Sequence, residues 1–427
     1  MSKLFTIGFF VLCIWIFTII LSYNFSFSRN YFRVNSDSEF LERFYFYRKT
    51  SEKAIFDLKK WLDKNNKTKK LFQRNNNNSI CVGIVSKERL GHPNIQPNTI
   101  IPSIASLATR IKFKYENKVN IIVLNVDQNK KREDLMALSD LIEIVDLENP
   151  ISPLRFEAQH PKVKEMSDYA FILKWLHKRS CAYVLLLEDD AIASYNWYEK
   201  TIDAITKLNS YTKNWFCLKL FTGFSQFDWI FDIDSVIRTI LFVIMFAVAQ
   251  CLFLNYLINI LNKQEWSFNQ ELFQTRAFLS LKHIPKKYIF CIVLHTILFK
   301  LYLNCTSSYP FGHGVREFVQ GFNLVATVYP NTHLQPIAKY LDTYLENFFD
   351  RKITTFIPKD ELLKKYKEDN SLREFIVQPS IFQHIGVFSS LGMRGNDLKS
   401  LQNFNFESHS FEANMKPINF DVKFSTT

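Results

Sequence analysis

Between Ile80 and Asp190, four short apolar runs, ICVGIVS, NIIVLNV, LIEIVDL and YVLLLED, are separated by stretches of helical spacing at 99–113, 131–139 and 163–178. Apolar runs of strand length joined by amphipathic crossovers leave few architectures open. They predict an α/β fold built on a mostly parallel sheet with helices on both faces. Such a sheet receives ligands at the carboxyl ends of its strands. No GxGxxG follows the first run, which disfavours a dinucleotide site. The pattern breaks off after WFCLKLF (215–221) and resumes with LVATVYP and EFIVQPS. One domain interrupted by an insertion accounts for this without a second domain.

The interruption coincides with apolar sequence of another kind. Three segments stay nearly free of charge over lengths that approach or reach the roughly 20 residues of helix needed to span a bilayer. They are Leu4 to Phe27, the stretch between Arg238 and Lys263, and Tyr288 to Asn304, where Lys300 must snorkel to an interface. The first exceeds the roughly 7–15 apolar residues of a cleavable signal and has no small-x-small site, so it reads as a signal anchor. Lys263, Arg276, Lys282, Lys286 and Lys287 keep the loop between the last two spans in the cytosol. The expected organisation is an anchor at 1–28 and a stem helix and linker at 29–79. The first part of the domain follows at 80–236, a membrane hairpin at 237–304 with its cytosolic loop at about 262–287, and the second part at 305–427. In the stem, Ser36 or Asp37 caps a helix to about Asp63, with Phe40, Phe44, Tyr47, Ile55, Leu58 and Leu62 on one stripe.

Lys and Arg outnumber Asp and Glu by 53 to 41. The excess is scattered and partly flanks the apolar spans, so nucleic acid is excluded as a partner. Lumenal exposure suits sequons at Asn66 and Asn77; those at Asn24 and Asn304 lie against the membrane. Of the seven cysteines, Cys81, Cys181, Cys217 and Cys305 fall on the lumenal side. They allow three pairings as two disulfides, while the strand-like runs around the first three equally suit buried thiols.

The run YVLLLEDDAIAS places Glu188, Asp189 and Asp190 where a buried strand opens to solvent. Three adjacent carboxylates repel, and a hard divalent cation shared with a diphosphate offsets that cost. An ordinary acidic strand end before a helix is the competing explanation. Near the C-terminus, His384 stands between Pro379 and Gly386 in QPSIFQHIGVFSS, either as a further metal or phosphate group or as a satisfied core histidine.

Together, KEMSDYAFILKWLHK, YVLLLEDD and QPSIFQHIGVFSS resemble the GT-A glycosyltransferases related to N-acetylglucosaminyltransferase IV. With the hairpin splitting the domain, the chain is most similar to the post-GPI attachment to proteins factor four family, over about Ile80 to Ser390. That resemblance implies a GT-A fold and inverting transfer of N-acetylgalactosamine from a UDP-sugar donor to the mannose core of a GPI-anchored protein. It further implies a Golgi membrane location with a lumenal catalytic domain, and Mn²⁺ or Mg²⁺ as cofactor. It makes Asp190 the principal metal ligand, with His384 beside metal or phosphate and Glu188 and Asp189 toward ribose and diphosphate. Lys164, Asp168 and Tyr169 would line the donor site. Ser86, Arg89 and Asp127 are placed near the nucleotide from their positions at strand ends. Lys219 stands where the N-acetylglucosaminyltransferase branch has a Glu, leaving Asp228, Asp232, Asp234 and Glu317 as candidate general bases. An N-glycan branching enzyme and a catalytically silent membrane adaptor are the alternative functions.

Overall fold

The computed structural model describes residues 37–64, 79–87, 99–111, 115, 118–127, 132–147, 161–221, 314–318, 324–353, 355–378 and 380–384. All belong to one compact unit formed by Tyr31–Phe227 and Pro310–Thr427. The three expected spans, the sequons, Arg89, Cys305, Asp228, Asp232 and Asp234 lie outside the described residues, as do the side chains of Phe40, Phe44 and Tyr47. Among the described residues no helix is long and apolar enough to cross a membrane.

Helix α1 (Asp37–Lys64) precedes a strand-and-helix alternation. It runs β1 (Ile80–Ser86), α2 (Ile100–Thr109), β2 (Val119–Asn125), α3 (Glu133–Met136), β3 (Glu143–Asp146), α4 (Pro161–His177) and β4 (Tyr183–Glu188). Then come β5 (Ala191–Ala193), α5 (Trp197–Tyr211) and β6 (Trp215–Lys219). After residue 313 the described chain resumes with β7 (Gly314–Glu317), β8 (Ala326–Pro330), α6 (Asn331–Phe349), α7 (Lys359–Asp369), β9 (Arg373–Gln378) and β10 (Phe382–His384).

Eight strands form one sheet in the order β3-β2-β1-β4-β8-β6-β9-β7, so strands from both sides of the interruption share it. β1 pairs in parallel with β2 and β4, and β2 with β3. β8 enters antiparallel between β4 and β6, β9 runs parallel to β6, and β7 closes the edge antiparallel to β9. The sheet is therefore mixed, with only β7 and β8 reversed. The reversal of β8 could not be read from an apolar run, whose composition does not encode direction. A separate pair, β5 with β10, stands apart from the main sheet.

Alternation along β1, β2 and β4 divides the core in two. Ile80, Val82, Ile84, Leu185 and Leu187 face a cluster with Ile55, Leu58 and Leu62 of α1, Ile104 of α2 and Trp197 of α5. Cys81, Ile122, Leu124, Val184 and Leu186 face Leu173 and Leu176 of α4, Leu341 of α6 and Leu363 of α7. On that second face α4 lies close against β1. A Cβ on Gly83 would meet Leu176 Cδ1 at 2.8 Å, so this glycine sets the helix-to-sheet approach.

Cys81 and Cys181 form a disulfide across 5.7 Å between Cα atoms, joining β1 to the start of β4 and enclosing 100 residues of sequence separation; Cys217 is a buried free thiol. Closing so long a loop limits the unfolded chain, worth roughly 3–5 kcal/mol on entropic grounds. We expect Cys81→Ser to lower the denaturant midpoint and to steepen the slope as the unfolded chain expands, measured by urea unfolding; an unchanged midpoint would rule out this contribution.

Candidate metal and donor site

The carboxyl ends of β1, β2 and β4 meet because their register is continuous: Val85 pairs with Glu188 and Ser86 with Asn125. Immediately after β4 the chain turns through Asp189 and Asp190 into β5. β5 is held in place from two sides. Ala193 N–H donates to Ser106 Oγ of α2 at 2.9 Å, and Arg110 donates a hydrogen bond to Ala193 O. β10 then pairs antiparallel with β5, bringing His384 opposite Ala191. Its approach is fixed from β6 as well, since Ile381 and Phe382 N–H both donate to Leu220 O.

The result is a compact group. His384 Nε2 lies 3.1 Å from Asp190 Oδ2 and 3.7 Å from Glu188 Oε2. One ligand atom from each of Glu188, Asp190 and His384 falls within 4.8 Å of the others. Asp190 is fully buried, His384 nearly so, and Glu188 is half-exposed. Burial by itself would lower the His384 pKa, but the Asp190 charge and hydrogen bonds to Asp190 and Glu188 outweigh it, raising it to about 9. Two carboxylates here demand compensating positive charge, which a proton on His384 or a divalent cation can supply. An oxygen-rich set with one imidazole fits Mn²⁺ or Mg²⁺ and lacks the thiolates that would favour softer metals.

Asp189 turns the other way. Its Oδ2 accepts hydrogen bonds from Ser86 Oγ and Lys87 N–H, each at 3.4 Å. Arg132 Nη1 donates to Ser86 Oγ at 2.9 Å and sits 3.6 Å from Asp127 Oδ2, while its other nitrogens bind Asp134. Lys164 Nζ is 2.6 Å from Asp168 Oδ2 and donates to Val126 O at 3.2 Å, pinning the start of α4 to the end of β2. The Lys87 pKa is lowered, first by burial and then by the Lys164 charge. Ser86, Asp127, Lys164 and Asp168 are thus gathered beside Asp189. Arg132 and Lys87 join them without any motif in the sequence to single them out. Tyr169 is buried, with its hydroxyl 3.0 Å from that of Tyr329 and the Glu188 and Asp360 charges acting on it.

Lys219 is fully buried at the end of β6, ion-paired with Glu374 of β9, whose other oxygen lies 3.1 Å from Lys367 Nζ of α7. Glu317 is committed elsewhere. Arg373 holds it through two hydrogen bonds, and the first of these effects lowers its pKa. On the edge strand it stands four strand spacings from β4, about 19 Å. That distance removes it as a base acting at the Glu188–Asp190–His384 centre.

A family model for GPI-N-acetylgalactosamine transferase PGAP4 matches residues 80–383, well over half of the 427 residues. The chain belongs to the PGAP4 family. Both the acidic turn and His384's neighbour Gln383 fall inside the PGAP4 match, which ends one residue before the histidine. Comparison with curated proteins gives no match. Among solved structures the chain is similar to the mannosyltransferase PcManGT from Pyrobaculum calidifontis in complex with GDP-Man and Mn²⁺, at 10% identity and a TM-score of 0.23 over 44% of this chain and 47% of that one. It is also similar to mouse xyloside xylosyltransferase 1 in its apo form, at 10% identity and a TM-score of 0.28 over 74% and 81%. The chain spans about half the length of the mannosyltransferase, and at these scores neither likeness bears on the site.

Because the folded His384 pKa exceeds its ordinary 6.5, the pairing stabilises the metal-stripped fold fully below pH 6.5 and is lost as pH rises toward 9. Nuclear magnetic resonance titration in EDTA should place the His384 midpoint near 9. Saturating Mg²⁺ should pull that midpoint down by competing for the imidazole. A midpoint near 6.5 that ignores Mg²⁺ would contradict the geometry.

Proposed function

We propose that this chain is a divalent-metal-dependent, inverting glycosyltransferase that moves N-acetylgalactosamine from UDP-N-acetylgalactosamine to the mannose core of GPI anchors. We place it in the Golgi membrane with its sheet in the lumen. The observation that carries the metal-dependent chemistry is the meeting of buried Asp190 and His384 beside Glu188 at the end of β4. The sugar and acceptor class rest on membership of the PGAP4 family. The Cys81–Cys181 disulfide suits an oxidising compartment, and the long apolar stretches of the sequence are the ground for membrane attachment.

Glu188, Asp190 and His384 would hold the metal. When bound, it supplies positive charge against the departing diphosphate. Asp189, with Ser86 and Lys87, orders the nucleotide side of the cleft, where Arg132 and Lys164 add further charge for phosphate oxygens.

Purified protein should turn over UDP-N-acetylgalactosamine only with Mn²⁺ or Mg²⁺. Asp190→Ala should abolish this and also erase metal-induced thermal stabilisation, worth roughly 2.7 kcal/mol at 100 times the dissociation constant. Turnover in EDTA, or a fully active variant, would overturn the proposed chemistry. Full cellular function of Asp190→Ala would favour a silent adaptor instead. Protease protection of the 314–384 region in sealed Golgi vesicles tests the lumenal placement.

A further inference from the structure

We propose that Asp360, in the first turn of α7, is the general base that takes the proton from the acceptor hydroxyl; this rests on the glycosyltransfer reading above. Its place follows from the sheet. β8 ends at the edge remote from the site, α6 returns the chain toward the carboxyl ends of β4 and β6, and α7 descends again before β9. The first turn of α7 therefore stands at the same end of the sheet as the acidic turn.

Strand alternation puts Glu188 on the face that carries α7, because Leu186 belongs to that face and Leu187 to the other. Lys219 projects to the same face, where its partner Glu374 also meets Lys367 of α7. Lys359, the residue before Asp360, ion-pairs with Glu165 of α4 and lies 5.7 Å from the Tyr169 ring centroid. Lys359 thus fixes the helix start against α4, while Lys367 in the last turn ties the helix end to the sheet.

Proximity to the ligand cluster matters most. The first turn of α7 is held to Glu165 and Tyr169 of α4, and the Glu188 charge acts on both Tyr169 and Asp360. Asp360 thus stands beside the metal-ligand cluster, at the sheet end and on the face that carry Glu188. Its carboxylate is half-exposed, open to an incoming hydroxyl. Its Oδ1 is covered, accepts no hydrogen bond among the described residues, and has Lys359 Nζ at 3.9 Å. The charged groups that act on it are Lys359, Glu188, Lys219 and Glu361. Burial, opposed by Lys359 and reinforced by Glu188, raises its pKa, which makes a stronger base than an open carboxylate.

The step balances simply. The acceptor oxygen bonds to the anomeric carbon while its proton passes to an Asp360 oxygen. The bond from that carbon to the diphosphate breaks, and UDP leaves with the electron pair.

The test compares wild type, Asp360→Asn and Asp360→Glu with UDP-N-acetylgalactosamine, Mn²⁺ and a GPI-anchored protein in detergent micelles. UDP–Mn²⁺ binding is measured by calorimetry on the same samples. We expect Asp360→Asn to cut kcat by about 100-fold or more, with donor KM and UDP binding unchanged and partial recovery in Asp360→Glu. Transfer by Asp360→Asn within about threefold of wild type overturns the assignment, as does loss of UDP binding in both variants. If Asp360→Asn shows no cooperative melting, Asp360→Glu decides: its kcat must fall while UDP binding holds. If wild type itself transfers no sugar, the glycosyltransfer reading fails and this assignment falls with it.

Discussion

A buried carboxylate beside a second one cannot stand without positive charge within a few ångströms, and Asp190 next to Glu188 sets that requirement at the centre of the molecule. His384 meets it from nearly two hundred residues away in sequence. It can do so only because β10 pairs with β5, and β5 is in turn held by Ser106 of α2 and by Arg110 just after that helix. A two-stranded ribbon of three residues per strand has little stability of its own. Here it is fixed by the larger sheet through Leu220 and by the helix beneath it. The geometry of the acidic centre is thus inherited from the packing of a helix that contributes no ligand.

The reversed strand β8 has a similar indirect role. By lying antiparallel between β4 and β6 it spaces the metal-ligand strand from the Lys219 strand. The face under α7 then carries an ion triad, Lys219 and Lys367 about Glu374, that is nearly dry. Burying such charges is costly unless geometry is well satisfied, so the triad speaks less for stability than for holding α7 in one register on the sheet.

Much of this was legible in sequence where local pattern and tertiary demand agree. The strand 80–86 and the boundaries of α4 and β4 follow from period-two and period-3.6 spacing. Glu188 to Asp190 could be placed at a strand end because an apolar run stops there abruptly. Arg132 and Lys87 could not, since nothing local distinguishes them from solvated surface residues until Ser86 and Asp189 are folded beside them. β5 and β10 are too short to show a period, and their pairing spans the interruption. Asp360 sits in a charged helix start that reads as ordinary surface. Tyr169 shows how neighbours on one helix divide. It lies one residue from Asp168, yet a single step around the helix turns it into the core against Tyr329.

The Cys81–Cys181 link closes a ring that contains β2, β3 and α2 through α4, with Ser86, Lys87, Asp127, Arg132, Lys164 and Asp168 of the nucleotide side, and the whole ring precedes the acidic turn in the chain. The acidic turn emerges next, but the histidine that balances it comes two hundred residues later. A nascent chain can therefore oxidise and settle one half of its cleft early while the other stays electrostatically incomplete. Completion of the centre is a late event in synthesis, and a chain stopped short of residue 384 has two repelling carboxylates and no imidazole to receive them.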